Sequence, residues 1–312
     1  MDYRYSYNWA TSNGISRAVA KLGMWGFTPP RGIWPGVCEP IPVPDTQGVF
    51  ADIARAVAAE MWAQYPHIAV VWSGGVDSSL VAVTLMESKP AGSVLSVISE
   101  PATFASSGNV WPWLADRGCQ QLWLSRQTLR DVVDQGGMVT TGYHADTLLC
   151  GDIIRYHDLY SSIWNMTVEE MFIHMDQLHP EDALTQLKMV EPLLQQMPLQ
   201  RTAANVAFWL DFTCAWHGDE MALMKLFDVE APGVGYVNFF AHPTLQAWSL
   251  RDVAKKVGKT HETHKSIYKA LLSEIMGTAP VIQLNTEPEE GYLSTPEDRQ
   301  ILAVRADWSP VY

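Results

Sequence analysis

The fold of this chain is decided by the stretch Ser73-Gly74-Gly75-Val76-Asp77-Ser78-Ser79. It follows the continuous apolar run 68–72, which is typical of a parallel strand buried on both faces. It precedes an apolar pattern with helical spacing that reaches Glu87. A glycine-rich turn between a buried strand and a helix gathers backbone N–H groups at the positive end of the helix dipole. The stretch therefore predicts a binding site for a phosphate group.

The segments around this turn alternate between strand and helix patterns. A helix pattern at 50–65 precedes the first strand, and further strands are predicted at 94–98, 121–124 and 138–141. Strands that alternate with helices at this spacing predict an α/β fold, in which a twisted, mainly parallel sheet carries helices on both faces.

The rest of the chain divides into regions of different composition. Residues 1–48 are rich in Pro, Gly and aromatic residues without sustained periodicity, which predicts an irregular N-terminal arm. We assign 49–160 to the phosphate-binding α/β region. Helix patterns such as 205–227 and 250–257 dominate the second half of the chain, so 161–312 is predicted to be a helical subdomain with an irregular C-terminal tail.

Composition and charge exclude several classes of protein. The 312 residues are 47% hydrophobic and 18% charged, which is enough for a sizeable core. The net charge of -13 and the absence of a basic cluster argue against a nucleic-acid partner. The four cysteines form no CxxC pair, so neither a disulfide framework nor a zinc knuckle is predicted. Without a long apolar run or a leader-like start, we expect a cytoplasmic protein that makes no membrane contact, and a homo-oligomer is compatible with this composition.

The side chains of the loop indicate a metal-bound phosphate. Two glycines, Gly74 and Gly75, allow the backbone to approach phosphate oxygens. Three serines offer hydroxyl donors: Ser73, Ser78 and Ser79. Asp77 repels a bare phosphate and is better explained as a ligand of Mg²⁺. The loop lacks the Gly-Lys-Ser/Thr of a Walker A motif, which disfavours transfer of a γ-phosphate. The alternative is a serine-capped helix after a glycine-rich turn.

The chain has, in order, a strand, two glycines, Asp77 and two serines. This order resembles that of the PP-loop ATP pyrophosphatases, also called the adenine nucleotide α-hydrolase superfamily. The resemblance implies that the loop holds the pyrophosphate of ATP together with Mg²⁺. It also implies that a substrate oxygen attacks the α-phosphate to give an adenylate. Val97, on the second predicted strand, is expected to flank the adenine.

A second segment narrows the resemblance. Residues 140–152, which read TTGYHADTLLCGD, are similar to the asparagine synthetase segment Ser-Gly-Glu-Gly-Ser-Asp-Glu-Leu-Phe-Gly-Gly. The resemblance implies that Asp146 joins Asp77 as a ligand of Mg²⁺ and that Gly142 faces the α-phosphate. The carboxyl ends of parallel strands meet at one edge of a sheet, so we expect the two aspartates to lie together. The alternative is that Asp146 only caps a helix at 147–150.

Two further segments extend the resemblance to about residues 49–277. Residues 237–245 are similar to the family segment Val-Pro-Phe-Leu-Asp-His-Arg-Leu-Val, and residues 265–272 to its Lys-x-x-Leu-Arg stretch. Together the four segments resemble the synthetase domain of asparagine synthetases and of relatives such as β-lactam synthetase. Those enzymes adenylate a carboxylate and then form an amide.

The sequence departs from this family in three places. Asp2 stands where a glutaminase domain would have its nucleophilic cysteine, so we expect nitrogen from ammonia, an amine substrate or a separate ammonia-supplying protein. Tyr143 replaces the family's acid/base glutamate. His144 beside it is the better candidate base, because an unperturbed histidine titrates near 6.5 and a tyrosine near 10. The family's late lysine is also missing, and Lys265 or Lys269 is expected to supply positive charge for the departing pyrophosphate.

Each of these assignments has a simpler alternative. His144 is equally compatible with a loop histidine that faces solvent or bonds to backbone, and the two lysines with exposed positions on a helix. The sequence therefore predicts an AMP-forming amide ligase that uses ATP, Mg²⁺, a small-molecule carboxylate and an amine or ammonia. Two other functions stay open, a PP-loop enzyme that modifies a nucleobase or tRNA, and a non-catalytic nucleotide-binding or scaffold protein.

Overall fold

The computed structural model describes residues 48–142, 145–149, 162–175, 184, 187–188, 191, 194–210, 212, 235–251 and 265–281. The helices in this part of the chain are α1 (Phe50–Gln64), α2 (Val76–Glu87), α3 (Pro101–Ala105), α4 (Val110–Ala115), α5 (Arg126–Asp134), α6 (Ala145–Leu148), α7 (Val168–Met175), α8 (Pro243–Ser249) and α9 (Ser266–Met276). The strands are β1 (His67–Val71), β2 (Val94–Ser99), β3 (Gln120–Trp123) and β4 (Met138–Thr141). Residues 203–210 are also helical, and Phe239–Ala241 forms a 3₁₀ turn.

The four strands form one all-parallel sheet in the order β3-β2-β1-β4. The register places Ile68 of β1 between Leu95 of β2 and Met138 of β4. The predicted α/β class is confirmed, and each predicted strand matches an observed one to within one residue at either end. The Pro, Gly and polar residues that bound each strand mark its limits.

Residues far along the chain extend the sheet beyond β4. The Val139 N–H donates to the Gly235 carbonyl at 2.8 Å, and the Val237 N–H donates to the Val139 carbonyl at 3.0 Å. These bonds make Tyr236 a parallel bridge partner of Val139. The sequence predicts no strand in this half of the chain, because a bridge of this length has no alternating pattern to detect.

Alternate residues of β1 face two different cores. Ile68 and Val70 belong to the main core with α1, α2 and α9, whereas Ala69 lies in a smaller core with Leu129 and Val132 of α5. Helices therefore cover both faces of the sheet. Both faces of β1 are apolar, which explains why its sequence reads as a continuous run instead of an alternating one.

The main core extends into the second half of the chain. The Phe50 ring in α1 lies 4.9 Å from that of Trp248 in α8 and 5.0 Å from that of Tyr268 in α9, measured between centroids. On the surface, the Arg55 guanidinium bonds Glu87 of α2 at 2.8 Å and Glu274 of α9 at 2.7 Å. The described helices of the second half thus pack on the same core as the sheet.

Parts of the sequence prediction fall outside the described residues. These are the N-terminal arm before residue 48 and the tail beyond 281. The predicted helix 205–227 is described only at 205–210 and 212, where it is helical. For the predicted helix 250–257 the structure describes two residues, and Leu250 caps the C-terminus of α8 instead of starting a helix. Within the described part of the chain, no helix has the length and apolar character that crossing a membrane requires.

Candidate functional site

The loop between β1 and α2 leads into a helix N-terminus that no side chain caps. Gly74 has a φ of 76°, in the left-handed region that favours glycine, and a Cβ there would lie 3.1 Å from Thr103 Cγ2. Gly75 is the N-cap of α2, and no side chain caps that end of the helix. The first-turn N–H groups of a 12-residue helix therefore point into the loop with no side-chain acceptor at the cap.

The serines of the loop divide into one surface residue and two buried ones. Ser73 is exposed, and its N–H donates to Ser78 Oγ at 3.1 Å. Ser78 and Ser79 are 3% and 0% exposed. The Trp72 indole N–H donates to Ser79 Oγ at 2.9 Å. The structure thus leaves Ser73 as the surface hydroxyl of the loop, whereas the other two hydroxyls hold the turn against β1 and α2.

Gly142, at the end of β4, lies against the start of α2. A Cβ at Gly142 would stand 2.4 Å from the Ser78 nitrogen and 2.7 Å from the Asp77 carbonyl carbon. These distances are far below any normal contact, so only glycine allows this approach. The sequence predicts that Gly142 faces the α-phosphate. The structure shows that the space a Cβ would take at Gly142 is filled by the backbone of Asp77 and Ser78, in the first turn of α2.

Two aspartates from separate strand ends meet on one lysine. Lys265 Nζ donates to Asp77 Oδ2 at 2.5 Å and to Asp146 Oδ2 at 2.9 Å. The side chain of Lys265 is 11% exposed, and those of the aspartates are 22% and 23% exposed. Asp77 lies in the first turn of α2 after β1, and Asp146 lies in the first turn of α6 after β4. The structure therefore brings together three of the residues that the sequence singled out.

The charge balance of this cluster keeps Lys265 protonated. Burial is the largest single influence and lowers the pKa of its ammonium, but the charges and hydrogen bonds of Asp77 and Asp146 together outweigh burial. The net pKa of Lys265 is raised above its ordinary value. Lys265 also has a φ of 57°, and it is the one non-glycine residue with positive φ in the part of the chain that the structure describes.

A buried tyrosine connects the helix after Lys265 to the helix that carries Asp146. The Tyr268 hydroxyl, in the first turn of α9, donates to the Ala145 carbonyl of α6 at 2.9 Å. Its side chain is 0% exposed, and burial raises the pKa of the phenol well above its usual range. Tyr268 therefore positions Asp146 through the residue that precedes it. Sequence reasoning missed Tyr268 because an apolar periodicity does not distinguish a core tyrosine with a bonded hydroxyl from any other core residue.

The remaining predicted residues lie elsewhere. Val97 is 0% exposed within the main core, so its assignment to an adenine contact gains no support from its position. Lys269 lies one turn after Lys265, and the structure gives its ammonium no hydrogen bond or ion pair to a described residue. Tyr143 and His144 lie outside the described residues, and their predicted roles as bases stay predictions.

The segment at 237–245 has a structural role in the described part of the chain. His242 caps the N-terminus of α8, where its Nδ1 accepts from the Thr244 N–H at 3.3 Å. Its Nε2 lies 3.2 Å from Glu60 Oε2 of α1. These contacts join α8 to α1.

The donor set fits Mg²⁺ only if other ligands complete the site. Mg²⁺ in nucleotide enzymes is held by one or two carboxylates, several waters and phosphate oxygens. Asp77 and Asp146 supply such a pair beside the loop. Among the described residues, no group of three or more His, Cys, Asp and Glu side chains could hold a metal ion. The pair is therefore suited to a metal that arrives with phosphate ligands of its own.

No protein-family model matches this chain, and no curated protein matches it either.

Proposed function

We propose that this chain binds Mg²⁺–ATP at the β1–α2 loop and catalyses the AMP-forming ligation of a carboxylate to an amine or ammonia. One observation carries the proposal. The uncapped N-terminus of α2 comes after a left-handed glycine, and Asp77 in its first turn shares the Lys265 ammonium with Asp146 of α6, the helix that follows the neighbouring strand β4. An anion-binding helix end beside two converging carboxylates is an arrangement suited to a metal-bound polyphosphate.

The described residues have distinct roles in this proposal. The N–H groups of the loop and the Ser73 hydroxyl bind the pyrophosphate portion of ATP. Asp77 and Asp146 hold Mg²⁺, which supplies charge neutralisation for the triphosphate when it is bound. Lys265 lies within the same cluster, where its ammonium can stabilise negative charge on the departing pyrophosphate. Gly142 keeps the end of β4 against the loop, so that both aspartates stay at one edge of the sheet.

The reaction proceeds in two steps. A carboxylate oxygen of the substrate bonds to the α-phosphorus, the bond from that phosphorus to the bridging oxygen breaks, and pyrophosphate leaves with the electron pair. The amine nitrogen then bonds to the acyl carbon, AMP leaves, and a base takes the proton from nitrogen. His144 is our candidate for that base. The nitrogen comes from a small amine, from ammonia or from a separate ammonia-supplying protein.

Carboxylate-dependent exchange of labelled pyrophosphate into ATP tests the first step. We expect exchange with at least one member of a broad panel of carboxylates. Asp77→Asn should lower the exchange rate by at least about 100-fold, because the charge that holds the metal–pyrophosphate complex is lost. Asp52→Asn is the matched control, since Asp52 is an exposed aspartate in the first turn of α1. Full exchange by Asp77→Asn would exclude the proposed metal site.

A nucleotide-binding protein without catalysis is the second candidate. Lys265 forms ion pairs with both aspartates, so the protein itself supplies a cation to the carboxylates that the first proposal assigns to Mg²⁺. Tight ATP binding with neither exchange nor AMP formation across the panel would favour this candidate. Modification of tRNA is tested separately by binding of bulk tRNA at physiological salt, which the net charge of -13 leads us to expect to be absent.

A further inference from the structure

The Lys265 ammonium lies between the two carboxylates that would hold the metal ion of the proposed function. Its ammonium bonds Asp77 Oδ2 and Asp146 Oδ2 at the same time, and its side chain is 11% exposed. One cation thus already bridges the two carboxylates. A second cation that used the same two oxygens would lie within a few ångströms of the ammonium, where like charges repel strongly outside bulk water.

We propose that Lys265 is an internal counter-ion that excludes free divalent cations from Asp77 and Asp146, and that it gives up this position only to a metal that arrives with nucleotide. The second half of this statement rests on the proposed function. Phosphate oxygens offer the displaced ammonium a new partner, whereas a hydrated metal ion alone offers it none. The metal and the nucleotide therefore enter together.

The backbone of Lys265 has an unfavourable conformation that its surroundings must hold. Its φ of 57° lies in a region that non-glycine residues seldom occupy, and such outliers persist where surrounding contacts hold them. Two restraints act here: the ion pairs of the Lys265 side chain with the two aspartates, and the packing against α2 of helix α9, which Lys265 directly precedes. Loss of the ion pairs removes one of the two restraints on this conformation.

Helix α9 stays in place when the lysine moves. Tyr268 anchors the first turn of α9 to the Ala145 carbonyl at 2.9 Å, and Arg55 ties Glu274 of α9 to α1 at 2.7 Å. These contacts use neither the Lys265 ammonium nor the oxygens that it bonds. The exchange of partners is therefore confined to the Lys265 side chain and its own backbone.

Binding of Mn²⁺ to the full chain in the absence of nucleotide tests this role directly. We expect weak binding to the unaltered protein by titration calorimetry. Lys265→Met keeps the length of the side chain but removes its charge, and should tighten Mn²⁺ binding by at least about tenfold. Asp77→Asn added to Lys265→Met should abolish the gain. Lys89→Met should leave Mn²⁺ binding unchanged, because Lys89 bonds the Ser93 carbonyl in the turn that leads into β2, at the opposite end of the strands.

Two results would overturn the proposal. One is a folded Lys265→Met variant, with an unaltered circular dichroism spectrum, that binds Mn²⁺ no better than the parent. The other result is tight binding of Mn²⁺ to the unaltered protein in the absence of nucleotide. With α,β-methylene-ATP present, the unaltered protein should bind Mn²⁺ tightly. If Lys265→Met gains Mn²⁺ affinity but no variant binds the nucleotide, the exclusion of free metal stands and the proposed ATP-dependent function fails.

Discussion

Gly142 and Ser78 lie so close that a Cβ on Gly142 would be 2.4 Å from the Ser78 nitrogen and 2.6 Å from its Cα. The two residues come from different strand–helix units, since Gly142 comes after β4 and Ser78 lies in α2. Their contact sets the separation between the end of β4 and the start of α2. It thereby sets the position of Asp146 relative to Asp77.

Gly142→Ala is expected to destabilise the protein by about 1–3 kcal/mol or more, because the added methyl group meets backbone atoms that cannot move alone. Chemical denaturation measures the loss. Gly75→Ala is the control, since Gly75 has an ordinary φ of -75° and a Cβ there would stand 3.4 Å from Ser73 Oγ. Equal stability of the two variants would contradict the close approach at Gly142.

Gly74→Ala tests the shape of the phosphate loop. The φ of 76° strains any residue with a Cβ, and the Cβ would also lie 3.1 Å from Thr103 Cγ2. We expect a cost of about 1–2 kcal/mol in the free energy of unfolding. If the loop binds phosphates, the same change should weaken ATP binding, measured by calorimetry. A Gly74→Ala variant with unaltered stability would show that the loop does not require the left-handed conformation.

Tyr268→Phe removes the hydroxyl that bonds the Ala145 carbonyl inside the core. The carbonyl loses its donor in a buried position, so we expect a loss of about 1–2 kcal/mol in the free energy of unfolding. If Tyr268 also positions Asp146, the residue after Ala145, the variant should bind Mn²⁺ more weakly in the presence of α,β-methylene-ATP. Tyr65→Phe is the control, since the Tyr65 hydroxyl bonds no described residue. If Tyr65→Phe weakened the binding of Mn²⁺ and the ATP analogue to the same extent, Tyr268 would have no specific positioning role.

Cys119 should resist alkylation in the native protein. Its side chain is 8% exposed, and burial raises the pKa of the thiol from 9.0 to about 12, with a small opposing effect of Lys89. The thiolate that reacts with iodoacetamide is therefore scarce at pH 8 to 10. Mass spectrometry of the peptide that contains Cys119 should show modification only after denaturation. Rapid modification of the native protein would contradict this burial.

The same thiol makes stability depend on alkaline pH. The folded-state pKa of Cys119 lies above its unfolded value, so its contribution to stability is fully present below about pH 9 and is lost as the pH rises toward 12. A Cys119→Ala variant should show a smaller loss of stability between these values than the parent. Denaturation midpoints at pH 8 and pH 10.5 measure the difference. Parallel losses in both proteins would show that other groups dominate.

The sheet can be predicted from sequence because its strands carry their own signal. The run that forms β1 is apolar on both faces, and both β1 and β4 are bounded by Pro, Gly or polar residues, so their limits are visible. The order of strand, glycines and helix likewise indicates the position of the glycine-rich turn between β1 and α2. The expected meeting of Asp77 and Asp146 at one sheet edge derives from parallel topology alone.

Other parts of the site depend on contacts that no local pattern records. Lys265 is 188 positions away from Asp77, and in sequence it resembles any lysine at the start of a helix. The burial of Ser78 and Ser79 could not be predicted, because residue type indicates a hydroxyl but not its direction. Tyr236 pairs with Val139 through one bridge, which is too short for periodicity to detect.

The bridge between Val139 and Tyr236 also affects how the chain can be divided. Residues 235–237 supply the hydrogen-bond partners of Val139 at the outer edge of β4. Truncation near residue 160 would remove these partners together with α8 and α9 and would expose a β4 edge able to pair with other molecules. The sheet is thus completed by a contact between residues nearly a hundred positions apart, which raises the contact order and slows folding. Expression of the α/β region by itself is therefore expected to yield an aggregation-prone fragment, not an autonomous domain.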